Sequence, residues 1–180
     1  MFQPWQSVVI SGKALKSLNQ SLINEVHQRQ IPNPDFDWTP KYQGIHRERQ
    51  FGAADALYSA LSMNRNDKQA RQRAMLNNWS FFGAPHVVFF TLPIYLGIMG
   101  AVDIGIYAQT LSLLLKESGV DSCMQGALGQ FPDPIKKQFD LTPDIGVLFG
   151  MSFGYADLHA AANQARTKRE TLDISVKFFE

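Results

Sequence analysis

Strand-like and helix-like stretches alternate along this chain of 180 residues without an internal repeat, which predicts an α/β or α+β fold with helices around one sheet. Three observations carry that expectation. Ser7–Ile10, His86–Leu92 and Ile145–Phe153 are short apolar runs bounded by turn residues, as strands are. Leu15, Leu18, Leu22 and Val26 repeat at three- and four-residue spacing, the stripe of a helix from about Lys13 to Arg29. From Ile98 to Leu115 apolar residues cover nearly every face, which predicts a long buried core helix or a membrane span.

The elements follow in order. Ser11-Gly12 turns the first strand into the first helix, with Ser11 as its expected N-cap. Pro32, Pro34 and Pro40 break all periodicity and predict an extended loop. Phe36, Trp38 and Tyr42 in that region would act as a lid over a pocket, staple onto a partner subunit, or pin the loop to its own core. Residues 42–63 read as a helix with a basic first half (His46, Arg47, Arg49) and an apolar second half. Asn64–Asp67 offers N-caps for a polar surface helix, Lys68 to Asn77. Trp79–Gly83 turns into the His86–Leu92 strand.

Gly119 sits where a left-handed helix C-cap belongs, after the long apolar helix. Val120–Cys123 is a turn or short strand, and Met124-Gln125-Gly126 a loop whose backbone N–H groups face a ligand. Pro132–Phe139 forms an amphipathic helix with Ile135 and Phe139 inward. Ile145–Phe153 is the strongest central-strand signal, with Gly150 and Gly154 allowing close approach of another backbone. Asn163–Arg169 is basic, and Leu172–Phe179 alternates as a last strand.

The totals exclude several functions. A net charge of +1 argues against nucleic acid as a partner. The single Cys123 rules out an intrachain disulfide and fits a reducing cytoplasm. No basic-then-apolar leader opens the chain, so no signal peptide is expected. Pro93, Gly97, Gly100, Gly105, Asp103 and Gln109 speak against a lone membrane span. There is no Gly-x-Ser-x-Gly, P-loop, Gly-x-Gly-x-x-Gly or metal-ligand spacing. Without an evident acid–base pair, no side chain is assigned a catalytic role, and a bound cofactor is expected to carry the chemistry. Arg166, Lys168 and Arg169 match phosphate oxygens in shape and charge, although cations near a terminus are commonly idle.

The order of the motifs is more specific than any one of them. Gln3-Pro4-Trp5 leads into the first strand. Phe81–Pro85 leads into the second. The long helix with Asp103 and Gln109 leads to Gly119–Cys123 and Met124-Gln125-Gly126. Gly150 and Gly154–Asp157 precede Asn163, Arg166 and Arg169. This series resembles the nitroreductase family over nearly the whole chain. The resemblance implies a mostly antiparallel central sheet flanked by helices and a single domain over 1–180, with 31–80 a lid or insert over the substrate. It implies FMN held at a homodimer interface and NAD(P)H as co-substrate. Electrons would pass to a small nitroaromatic, quinone or enone, with no metal, membrane or nucleic acid involved. Gln3, Pro4 and Trp5 resemble the segment beside the flavin ring, and Asp103 a position that presents a polar group to it. Met124, Gln125 and Gly126 resemble the loop whose backbone N–H approaches flavin N5. Arg166 and Arg169 resemble the residues on the FMN phosphate. The family's opening helix and Arg-Arg-Ser-x-Arg segment are not found ahead of Gln3, so the resemblance also implies an N-terminally truncated chain with a weakened grip on FMN. The alternative expectation is a non-catalytic dimeric flavin-binding or scaffold remnant.

Overall fold

The computed structural model describes residues 3–29, 31–37 and 41–179. They fall into two compact units, one built from Met1–Thr39 and Gln72–Ala156, the other from Pro40–Arg71 and Asp157–Glu180.

The first unit is organised by its sheet. Strand β1 (Gln6–Ser11) is followed by helix α1 (Gly12–Arg29), then, further along the chain, by β2 (His86–Pro93), α4 (Gly97–Glu117), β3 (Asp121–Gln125), α5 (Asp133–Gln138) and β4 (Ile145–Gly154). The strand order is β1-β2-β4-β3. Every neighbouring pair is antiparallel. The expected class holds, and the strand at 145–154 is central, as its apolar run predicts.

Because side chains alternate along a strand, the continuous apolar run of β2 serves both faces of the sheet. Val87 and Phe89 join Ile10 and Val147 beneath Leu18 and Leu22 of α1 and Ile135 of α5. Val88, Phe90 and Leu92 join Met151 beneath Ile104 and Ala108 of α4. Each fully buried side chain of this kind contributes roughly 1.5–3 kcal/mol. Gly100 lets α4 lie this close, since a Cβ there would stand 2.5 Å from Leu92 Cδ1.

The expectation of a buried core helix is corrected. Of α4, only Gly100, Ile104 and Ala108 are buried. Ile98, Met99 and Ile106 are 80%, 70% and 61% exposed. One sheet covers one stripe of a helix, and the remaining apolar faces of α4 stay uncovered in a single chain. By length and composition the segment Ile94–Glu117 would also suffice to cross a membrane, yet its Gly100–Ile104–Ala108 stripe is committed to the sheet. The helix ends as its sequence predicts. Gly119 takes φ +77°, Gly119 N–H donates to Lys116 O at 3.0 Å, and Val120 N–H donates to Leu115 O at 2.9 Å. Lys116 and the Ala156 N–H beside Asp121 then hold its carboxyl below the ordinary value of 3.8.

The proline-rich loop is pinned to its own core. Asn33 N–H donates to Gln130 O at 3.0 Å, and Phe36 packs against Gly146. Between Phe90 and Thr91 the β2–β4 register slips by one residue of β4, a bulge at Leu148. Asp35 stabilises it. Its Oδ2 accepts the Val147 N–H at 2.9 Å, and its Oδ1 meets Lys136 Nζ at 3.0 Å. Trp38 lies outside the described residues.

Among its described residues the second unit has no comparable core. Helix α2 (Gly44–Ala60) buries none of its residues. Helix α3 (Lys68–Leu76) spans the boundary between the units and is capped by Asp67, which accepts the Ala70 N–H at 2.9 Å. The basic first half of α2 is partly engaged. Arg47 and Arg65 lie 5.3 and 5.1 Å from the Phe51 ring, and Arg49 meets Glu170 at 3.0 Å. The strand expected at 172–179 is corrected. Leu172–Ser175 is a helical turn, α6, closed by Val176 N–H donating to Leu172 O at 2.7 Å. Alternation makes a strand only where an edge is available to pair with.

Asp35→Ala removes the partner of a largely buried ammonium and of the Val147 N–H together. It should destabilise the protein by about 3–5 kcal/mol in urea unfolding, whereas Asp35→Asn, which keeps an acceptor, should cost less.

Candidate active site

The segment expected beside a ligand opens with strained backbone. Gln3 has φ +46°, Pro4 is buried and Trp5 half-buried. Trp5 stacks on Tyr107 of α4 with ring centroids 6.0 Å apart and planes inclined by 22°. Tyr107 in turn meets Phe90 edge-on at 5.7 Å, and its hydroxyl lies 3.3 Å from Ser7 Oγ. Gln3, Pro4, Gln6, Pro93, Tyr95 and Leu96 line a cleft of about 430 Å³.

Asp103 lies one helical turn before Tyr107, at the rim of the buried stripe, half-exposed. Its neighbours Met99, Val102 and Ile106 belong to the uncovered apolar face.

At the other edge of the sheet the expected loop is corrected. Met124 and Gln125 are the last residues of β3, paired with Met151 and Gly150. Only Gly126 begins the turn Gly126–Gly129. Met124 is partly exposed on the α4 side of the sheet. Gln125 is buried and faces inward, so the part of it that a ligand can meet is backbone. Its Nε2 donates to the Asn78 carbonyl at 3.0 Å, and its Oε1 accepts the Ser152 hydroxyl. Gly126 is exposed. Cys123, one residue before Met124, has its thiol pushed up by burial, away from the reactive thiolate.

Arg166 and Arg169 belong to the second unit. Arg166 donates to the carbonyls of Asn163 and Ala165 at 2.7 and 2.9 Å, and Arg169 to Thr167 Oγ1 at 2.5 Å. Among the described residues neither guanidinium forms an ion pair. Also among the described residues, no three His, Cys, Asp or Glu side chains cluster as a metal ion requires.

The first unit therefore gathers Gln3, Pro4, Trp5 and Asp103 around the β1 edge and the start of α4. Met124, Gln125 and Gly126 lie at the β3 edge, with β2 and β4 between. A family profile described as the nitroreductase family matches residues 1–155. The chain belongs to the nitroreductase family. It is 34% identical over 177 residues to nitroreductase NfnB of Mycolicibacterium smegmatis, covering 98% of this chain and 75% of that protein. It is 30% identical over 168 residues to a 4-nitrobenzoate reductase of Pseudomonas putida, covering 93% and 74%. It superposes at a TM-score of 0.94, with 33% identity, on the crystal structure of the FMN-dependent nitroreductase NfnB from Mycobacterium smegmatis in complex with NADPH, covering 99% of this chain and 80% of that one.

Within this family fold, Tyr107, Ser152 and Asn78 touch the candidate residues Trp5 and Gln125 and are not among the candidates read from the sequence. A lone tyrosine four residues after Asp103 and a serine inside the apolar run 145–153 are signals for the first two. Asn78 engages through its carbonyl, which no side-chain pattern reveals.

Tyr107→Leu removes the ring beneath Trp5. It should cost about 0.5–1.5 kcal/mol beyond the lost apolar contact and shift tryptophan emission and near-UV dichroism, while Tyr107→Phe should leave both close to wild type.

Proposed function

We propose that this chain is an FMN-dependent oxidoreductase that takes reducing equivalents from NAD(P)H and reduces nitroaromatic compounds, with quinones and enones as further electron-poor acceptors. The observation that carries the reading is sequence and fold agreeing together, 33% identity at a TM-score of 0.94 to a protein described as an FMN-dependent nitroreductase in complex with NADPH. The 4-nitrobenzoate reductase relative supports the nitroaromatic acceptor. The lone Cys123 is in keeping with a reducing, cytoplasmic setting.

The residues present fit the cofactor. Gly126 is exposed and carries no side chain, and the Gln125 side chain is turned inward, so a flat ring bound there would meet backbone rather than side chain. Among the described residues Arg166 and Arg169 have no carboxylate partner, and their guanidinium groups offer the donor chemistry a phosphate needs. FMN, when bound, supplies the two-electron relay between a nicotinamide and the acceptor. The protein's part is to hold and orient. Gln3, Pro4 and Trp5 lie at the sheet edge opposite Met124–Gly126, so they would bound the ring from a second copy, with Trp5 kept in place by Tyr107. Met124 would pack against the ring edge, and the backbone of Gln125 and Gly126 would present donors to it. Arg166 and Arg169 would neutralise the phosphate, and residues 31–80 would shape access for the acceptor.

We also propose a homodimer. The outward face of α4, with Ile98, Met99, Val102 and Ile106, is an apolar surface of the kind a second copy covers. Asp103 at its rim would then reach the flavin from within the covered interface.

The protein incubated with FMN should become yellow and oxidise NADPH in the presence of 4-nitrobenzoate. A titration that finds no flavin bound would overturn the reading. Arg169→Ala should weaken FMN about ten- to hundredfold, with partial recovery in Arg169→Lys. Light scattering should report a dimer, and Ile106→Glu should shift it toward monomer without loss of helical dichroism.

A further inference from the structure

The strand end at Gln125 is held by a polar network buried more deeply than a surface turn requires. Gln125 and Ser152 are each only 3% exposed. The Gln125 amide is used at both ends, its Oε1 accepting the Ser152 hydroxyl and its Nε2 donating to the Asn78 carbonyl at 3.0 Å. That carbonyl also accepts the Phe81 N–H at 3.1 Å, in the turn that leads into β2. A buried amide is costly unless satisfied, and a satisfied one fixes its orientation.

The turn that follows is pressed onto β4 from above. A Cβ at Gly150, the register partner of Gln125, would stand 2.6 Å from Leu128 Cδ1 and 3.2 Å from the Val88 carbonyl. A Cβ at Gly129 would meet the Leu148 carbonyl. Backbone and side chain are therefore both clamped on either side of the Gln125–Gly126 peptide. As the first residue of its helical turn, Gly126 has an N–H with no partner inside that turn.

We infer that Ser152 and Asn78, acting through the buried amide of Gln125, are positioning residues that set the direction of the Gly126 backbone N–H toward the flavin ring. The inference rests on the FMN reading above. A hydrogen bond to a ring nitrogen needs good alignment, and a donor fixed before the ligand arrives spends no ordering entropy when it binds. The Gln125 amide is neutral, so this alignment does not change with pH near neutrality.

The test compares oxidised FMN with 5-deaza-FMN, in which carbon replaces N5 and no acceptor remains at that position. Wild type should bind FMN roughly three- to tenfold more tightly than the deaza analogue, the range of one neutral hydrogen bond. In Ser152→Ala and in Gln125→Met that ratio should fall below about twofold, chiefly through weaker FMN binding, and Ser152→Thr should restore it. If Ser152→Ala does not fold, Gln125→Glu carries the same comparison, because it keeps side-chain size but turns an oxygen toward the Asn78 carbonyl. Variants that lose affinity for both flavins by the same factor would overturn the inference, since a merely structural role has that effect. A wild-type ratio near one would overturn it too, while leaving the FMN reading intact. Wild type that binds neither flavin would overturn the FMN reading itself.

Discussion

The structure depends on one constraint: β2 is apolar on both faces and must be covered on both. Val87 and Phe89 require a layer on one side, and Val88, Phe90 and Leu92 require one on the other. Helices α1 and α5 supply the first, α4 the second. This is also why β2 sits inside the sheet, between β1 and β4, since an edge position would leave part of its backbone unpaired. The glycines at close contacts follow from the same demand, because they let α4 and the 126–129 turn approach the strands without a Cβ between.

Covering β2 leaves a second problem unsolved. A helix apolar on nearly all sides can give only one stripe to a flat sheet, and α4 gives Gly100, Ile104 and Ala108. Its outward face keeps Ile98, Met99, Val102, Ile106, Leu113 and Leu114 more than half exposed. The features read as a site are arranged around this helix. Trp5 stacks on its Tyr107, Asp103 marks its rim, and Ser112 reaches from it to Ser122 of β3 at 2.9 Å.

Polar groups inside the first unit fall into two kinds with different consequences. Asp35 and Lys136 form an ion pair that holds the proline-rich loop and the β4 bulge, and losing either partner strands a charge. Asn78, Gln125 and Ser152 are neutral, so they confer direction without pH sensitivity. The chain thus places a charged clamp where a loop is anchored and an uncharged one where a ligand is expected. The cationic residues proposed for the phosphate, Arg166 and Arg169, belong to the other unit, where nearby backbone and Thr167 hold them among the described residues.

What the sequence determined by itself was local or cumulative. The strands at 6–11, 86–93 and 145–154 and the helices at 12–29 and 133–138 were legible because period, capping and turn chemistry act over a few residues. Family membership was legible because weak motifs in a fixed order accumulate, and that order also named the residues proposed for the site. Tertiary structure decided the rest, for a common physical reason. Hydrophobicity states that a surface needs cover but not what covers it, so the apolar pattern of α4 predicts burial where most of the helix is not buried. Alternation states that a strand could form but not that an edge is free, so the pattern at 172–179 predicts a strand where that segment begins with a helical turn. A glutamine next to a glycine says nothing about where its amide points. That Gln125 turns inward to Ser152 and Asn78, leaving backbone at the surface, was decided only when β3, β4 and the turn at 78–83 came together.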